Sequence, residues 1–104
     1  MNEVEKKVIA WANDRNLLEG TTALKQMEKL WEECQELWTE VAYVEDGFDS
    51  VLDAKKELGD CLVVLTMIAN QLDSSLEECY TLAYEKIKDR KGRMINGLFV
   101  REKS

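Results

Sequence analysis

Apolar positions recur at helical spacing through most of the chain, and the gaps between the runs divide it into four segments. Over about residues 2 to 16, Val4, Val8, Trp11 and Ala12 share one face, and Gly20 stands in the loop that follows. A second helix is expected from Thr21 or Thr22, either of which can cap it, to about Val44. Its stripe is Met27, Leu30, Cys34, Leu37 and Val41, widened by Trp31 and Trp38. "EDGFDS" interrupts the pattern. Ser50 with Asp53 then reads as a capping box opening a third helix that reaches about Leu72, and Ser74 with Glu77 repeats the signal for a fourth that ends before Gly92. "MINGLFV" sets Asn-Gly between two short apolar runs, the mark of a turn or small hairpin. The expected architecture is one all-α domain over residues 1–104, a compact four-helix bundle-like unit with a short C-terminal turn or hairpin.

The third helix breaks the usual amphipathic rule. From Cys61 to Ala69 nearly every residue is apolar, so this helix should be buried almost all round. Either it is the central helix of the bundle, or a second chain covers it; assembly through helix faces into a homodimer or homotetramer is expected. Yet Glu57 and Asp60 lie on the same stripe as Val64, Met67 and Gln71, at spacings of 3, 4, 3 and 4. A carboxylate on a buried face either becomes neutral or finds a cation.

Composition narrows the choices. The chain has no proline and five glycines, which suits long helices. An apolar fraction of 45% argues against disorder. The net charge of −7 repels a phosphate backbone, so no nucleic-acid partner is expected. The apolar run of the third helix is too short to span a bilayer, so no membrane partner is expected either. Three cysteines without a C-x-x-C pair, and no signal peptide, read as reduced core thiols in a cytoplasmic protein (the host's cytoplasm, if phage-encoded). Histidine is absent, which excludes His-based catalysis and argues against zinc or di-iron.

The second helix carries Glu32, Glu33 and Glu36 in "EECQE". Taken alone, these read as a solvated acidic face. Packed antiparallel against Glu57 and Asp60, Glu33 and Glu36 would complete a site of four carboxylates, whose repulsion calls for bound cations. Oxygen ligands without histidine select a hard ion, magnesium or manganese, and magnesium commonly binds together with substrate phosphates. On the fourth helix Cys79, Ala83, Lys86 and Arg90 follow at spacings of 4, 3 and 4, so Lys86 and Arg90 are expected to extend an inward stripe, with Arg93 just beyond. Basic residues also suit any helix C-terminus, which accounts for Lys88 and Lys91. The inward pair points to phosphate binding.

"KLWEECQEL", "ELGDCLVVL" and "KIKDRKGRMINGLFV" together resemble the signature segments of the all-α nucleoside triphosphate pyrophosphohydrolases, specifically the short MazG-like proteins of bacteria and phages. E-E-x-x-E at Glu32, Glu33 and Glu36 is followed after 20 residues by E-x-x-D at Glu57 and Asp60, and then by K-x-x-x-R at Lys86 and Arg90. The resemblance covers nearly the whole chain. It implies cleavage of a nucleoside triphosphate between the α- and β-phosphates, with Glu33, Glu36, Glu57 and Asp60 holding magnesium and Glu32 activating the attacking water. Lys86, Arg90 and Arg93 would contact the substrate, with Asn70 a further polar group on the third helix. Tyr84 stands where many relatives have asparagine, so base and sugar preference is open; Trp11, Trp31, Trp38 and Tyr43 are the aromatic residues that could stack a base, Trp11 and Trp38 also suiting core or interface. A sister activity on dUTP, dCTP or phosphoribosyl-ATP would share the same spacing. A non-enzymatic acidic oligomerisation or regulatory module would account for the first two helices, but not for inward charges on the last two.

Overall fold

The computed structural model describes residues 1–102. Four helices appear in the expected order: α1 (Glu3–Asp14), α2 (Ala23–Glu45), α3 (Val51–Gln71) and α4 (Leu76–Ile87). A hairpin of β1 (Gly92–Ile95) and β2 (Leu98–Arg101) closes the described chain. Each helix starts at a polar cap whose side chain accepts a first-turn N–H: Asn2, Thr22, Ser50 and Ser75. The fourth cap is one residue later than expected. Ser75 accepts from the Glu78 N–H at 3.1 Å, while Ser74 donates its hydroxyl to the Glu78 carboxylate at 2.6 Å.

α3 is the central helix. α1, α2 and α4 all pack on it, whereas among the described residues α4 packs on neither α1 nor α2 through its backbone. The core is small: Ala12, Val64, Met67 and Ile68, flanked by Leu17, Leu18, Met27 and Leu30. Gln71, the polar member of the α3 stripe, is explained here. Its amide donates to the carbonyls of Leu18 (3.0 Å) and Thr21 (3.3 Å), tying down the α1–α2 connection. In that connection Asn16 takes the left-handed conformation (φ 58°) that asparagine tolerates.

Other apolar positions expected inside lie open. Val4 is 66% exposed and Trp38 75%, and Cys34, expected as a core thiol, is exposed while Cys61 is buried. α4 also ends earlier than its stripe suggests. The chain turns after Ile87, with the Arg90 N–H on the Ile87 carbonyl (2.9 Å), and from Gly92 the backbone pairs in the hairpin. Arg90 therefore lies beyond the helix. The hairpin is as expected: Asn96 and Gly97 both have positive φ (52° and 80°), the geometry of a two-residue turn matched to strand twist. No helix among the described residues is long and apolar enough to cross a membrane.

Candidate metal centre

α2 and α3 are joined by a short link and run antiparallel, so rising numbers on one helix meet falling numbers on the other. Glu40 meets Asp53, and one turn back along α2, Glu33 and Glu36 meet Glu57. The spacing of Glu33, Glu36 and Glu40 keeps all three on the flank that faces α3. Among the described residues this pairing assembles two groups of three carboxylates, Glu33–Glu36–Glu57 and Glu40–Asp49–Asp53, each with one oxygen per residue within 4.8 Å of the others.

The first group is the more enclosed. Glu33 is 8% exposed, Glu57 is half-buried, and Glu33 Oε2 and Glu57 Oε2 are both buried without a hydrogen-bond donor. A buried carboxylate oxygen without a donor is costly, and a hard cation supplies what is missing. The donors are oxygen only, so the residues present fit magnesium or manganese. Electrostatics agree. The Glu36 carboxyl is pushed above the usual range chiefly by the Glu33 charge, with burial and Glu57 adding to it. Glu40 is pushed up first by burial and then by Asp49, and its Oε1 is also buried without a partner.

One cation already stands beside the first group. Lys29 Nζ lies 3.2 Å from Glu33 Oε1 and 3.4 Å from Glu32 Oε2, and these two glutamates raise its pKa. Sequence reasoning missed it, although a lysine four residues before a buried glutamate on one helix face was a readable signal. Glu40 was missed too, at the next position of the Glu33–Glu36 series.

The expected site residues divide. Glu33, Glu36 and Glu57 come together, and Glu32 is exposed at their edge, bonded to Lys29. Asp60, expected on a buried face, is exposed, because its stretch of α3 forms the wall of an open cleft rather than a covered core. It lines that cleft together with Glu33, outside the three-carboxylate group. Asn70 is half-buried, about 15 Å of helix beyond Asp60. Lys86, in the last turn of α4, is exposed rather than inward; Arg90, past the helix end, and Arg93, on β1, are exposed as well. Among the described residues, neither α4 nor β1 packs against α2 through its backbone.

The cleft measures about 520 Å³, within the range of small-molecule sites. Its floor is Leu17, Val63, Val64 and Met67, with Trp11 on the wall and the amide of the buried Gln26 as a polar group. Trp11 is 43% exposed and carries the Arg15 guanidinium 4.8 Å from its ring centroid, so it is a surface aromatic rather than a core residue. Glu33, the buried member of the acidic group, thus borders an apolar chamber with polar edges, together with Asp60.

Comparison with known proteins places the chain in a family. A protein of Haemophilus phage HP1, named as an uncharacterized 18.2 kDa protein in the rep-hol intergenic region, is 40% identical over 80 residues. The match covers 75% of this chain and 46% of that protein, so the chain spans about half the length of this curated relative. No solved structure matches. The family model of the MazG nucleotide pyrophosphohydrolase domain matches residues 21–95, which include both carboxylate groups and the basic segment. The chain belongs to the MazG nucleotide pyrophosphohydrolase domain family.

Proposed function

We propose that this chain is a magnesium-dependent hydrolase that converts (deoxy)nucleoside triphosphates into monophosphate and pyrophosphate. The observation that carries the reading is the Glu33–Glu36–Glu57 group, with its two buried oxygens lacking donors, whose Glu33 also lines the 520 Å³ cleft. Glu33, Glu36 and Glu57 would hold the ion, with Asp60, which lines the cleft beside Glu33, as the fourth carboxylate. A bound magnesium ion offsets the carboxylate charge and acidifies water at the site. Glu32, exposed at the edge of the group, takes the proton of the attacking water. The water oxygen bonds to the α-phosphorus, the α–β anhydride bond breaks, and pyrophosphate departs. Base and sugar lie in the adjoining cleft, against Trp11 and within reach of Gln26.

Lys86, Arg90 and Arg93 contact the phosphates in this reading. Because α4 does not pack on α2, a second copy is the natural source of these groups. Two further observations support a homodimer or higher homo-oligomer. The radius of gyration, 16.3 Å, exceeds the roughly 13 Å of a chain this long that covers its own core. Leu24, Trp31, Trp38 and Tyr80 are each at least 66% exposed, far more apolar surface than a monomer normally leaves open.

The test is a panel of ribo- and deoxynucleoside triphosphates, including dUTP, dCTP and phosphoribosyl-ATP, incubated with magnesium and read by pyrophosphate release. Release that depends on magnesium and falls at least about tenfold in Asp60→Asn is expected. No release from any member, with metal bound and the fold intact, would leave an acidic binding module as the answer.

A further inference from the structure

Two cationic side chains line the cleft beside the carboxylate group, Lys25 and Lys29, and they are held differently. Lys25 pairs with Glu28 at 2.7 Å, a residue outside the group and outside the cleft. Lys29 pairs with Glu33, the most buried carboxylate of the group, and with Glu32 at its edge. Its side chain remains 49% exposed, so it has room to move, whereas Glu33 is fixed by burial. An ammonium on a four-carbon stem is a compact, swinging charge with three donors, well suited to changing partners.

From this geometry we propose that Lys29 is the resident counter-ion of the metal-free site, and that it turns to the substrate's phosphates once a divalent ion takes over Glu33. The inference rests on the pyrophosphohydrolase reading and adds a substrate-binding residue to it. A divalent ion and an ammonium cannot draw fully on one carboxylate at the same time, because they repel each other and divide its charge. Metal binding therefore weakens the Lys29–Glu33 pair. A nucleoside triphosphate then brings several negative charges to the same cleft, where Lys29 has given up Glu33 and keeps only the exposed Glu32. Lys29 thus competes with the metal before substrate arrives and assists substrate afterwards.

That dual role predicts opposite effects of one substitution. Mn²⁺ binding without nucleotide is measured from free-ion EPR, and binding of a non-hydrolysable α,β-methylene triphosphate analogue is measured at saturating magnesium. Lys29→Met should bind Mn²⁺ at least about 1.5- to 5-fold more tightly, the range for releasing an exposed ion pair being a lower bound for one with a buried partner. The same variant should bind the analogue at least about tenfold more weakly, as expected for one lost charged contact to phosphate. Lys29→Arg, which keeps the charge, should restore analogue binding to within about threefold of wild type. Lys6→Met, on the exposed flank of α1, should move neither quantity. Weaker or unchanged Mn²⁺ binding by Lys29→Met, or unchanged analogue binding, overturns the proposal. If both affinities fall with the melting temperature, Lys29 only holds the helix together, and the proposal fails. Pyrophosphate release by wild type keeps the two readings apart: release with a silent Lys29→Met sinks the lysine's role alone, whereas absence of release and of analogue binding sinks both.

Discussion

Glu57→Gln should make the metal-free protein more stable while removing most of its response to magnesium. The change keeps side-chain volume and deletes one charge from a group whose oxygens lie within 4.8 Å of one another. At that separation the Glu33–Glu57 repulsion is about 3.5 kcal/mol for an effective dielectric of 20, and about 0.9 kcal/mol in water. Glu57 is half-buried and Glu33 is partly offset by Lys29, so relief of about 1 to 2 kcal/mol is the reasonable middle. The new amide adds to this, since its N–H can donate to a neighbouring carboxylate oxygen that has no donor, such as Glu33 Oε2. For a chain of about 100 residues each kcal/mol moves Tm by about 4 to 8 °C, so Tm in chelator should rise by about 5 °C or more. Magnesium at about 100 times its Kd should stabilise wild type by about 2.7 kcal/mol, and the variant by less than half of that. Thermal melts in chelator and in magnesium, at one fixed protein concentration because assembly also shifts Tm, provide the comparison. A variant that melts below wild type in chelator, or that gains as much from magnesium, would refute the repulsion argument.

Arg90→Met should weaken binding of the triphosphate analogue by roughly 10- to 150-fold, the range of one charged hydrogen bond to phosphate, whereas Lys88→Met, whose ammonium pairs with Glu85 at 2.7 Å on the surface, should be nearly silent. Equal effects in a binding titration would mean that diffuse positive charge, not a directed contact, draws the substrate. The pH dependence of stability follows from the same carboxylates. Glu36 and Glu40 are raised above 4.5, so the stability that goes with their protonated forms is complete below that pH and is lost as pH rises through their folded values. Glu77, lowered by the Met1 amino group 2.6 Å away, acts on the other side, losing its contribution as pH falls below 4.5. Metal-free Tm should therefore decline as pH rises above 4.5, and saturating magnesium should remove the part due to Glu36; a steady rise above pH 4.5 in chelator would contradict the assignment.

Much of this protein is local in origin, and that part could be read from the sequence. Helices that begin at Asn, Thr or Ser caps, and a turn that needs two positive φ values at Asn96–Gly97, depend on neighbours a few residues apart. The Glu33–Glu36 and Glu57–Asp60 pairs were visible for the same reason, because a helix places residues three apart on one face wherever it packs. Whether a face is covered is not local. Asp60, Trp11, Cys34 and Lys86 sit on or beside apolar stripes and are nevertheless open, because burial depends on which helix lies opposite, and among the described helices the α4 backbone packs on α3 only. α4 stops at Ile87 because strand pairing from Gly92 claims the backbone, a competition that helical periodicity does not register. The antiparallel packing of α2 on α3 decided the rest. It joined two ordinary acidic segments into one group with buried oxygens lacking donors, and placed Lys29 against it, since charges distant along the chain act on one another only when folding brings them within a few ångströms.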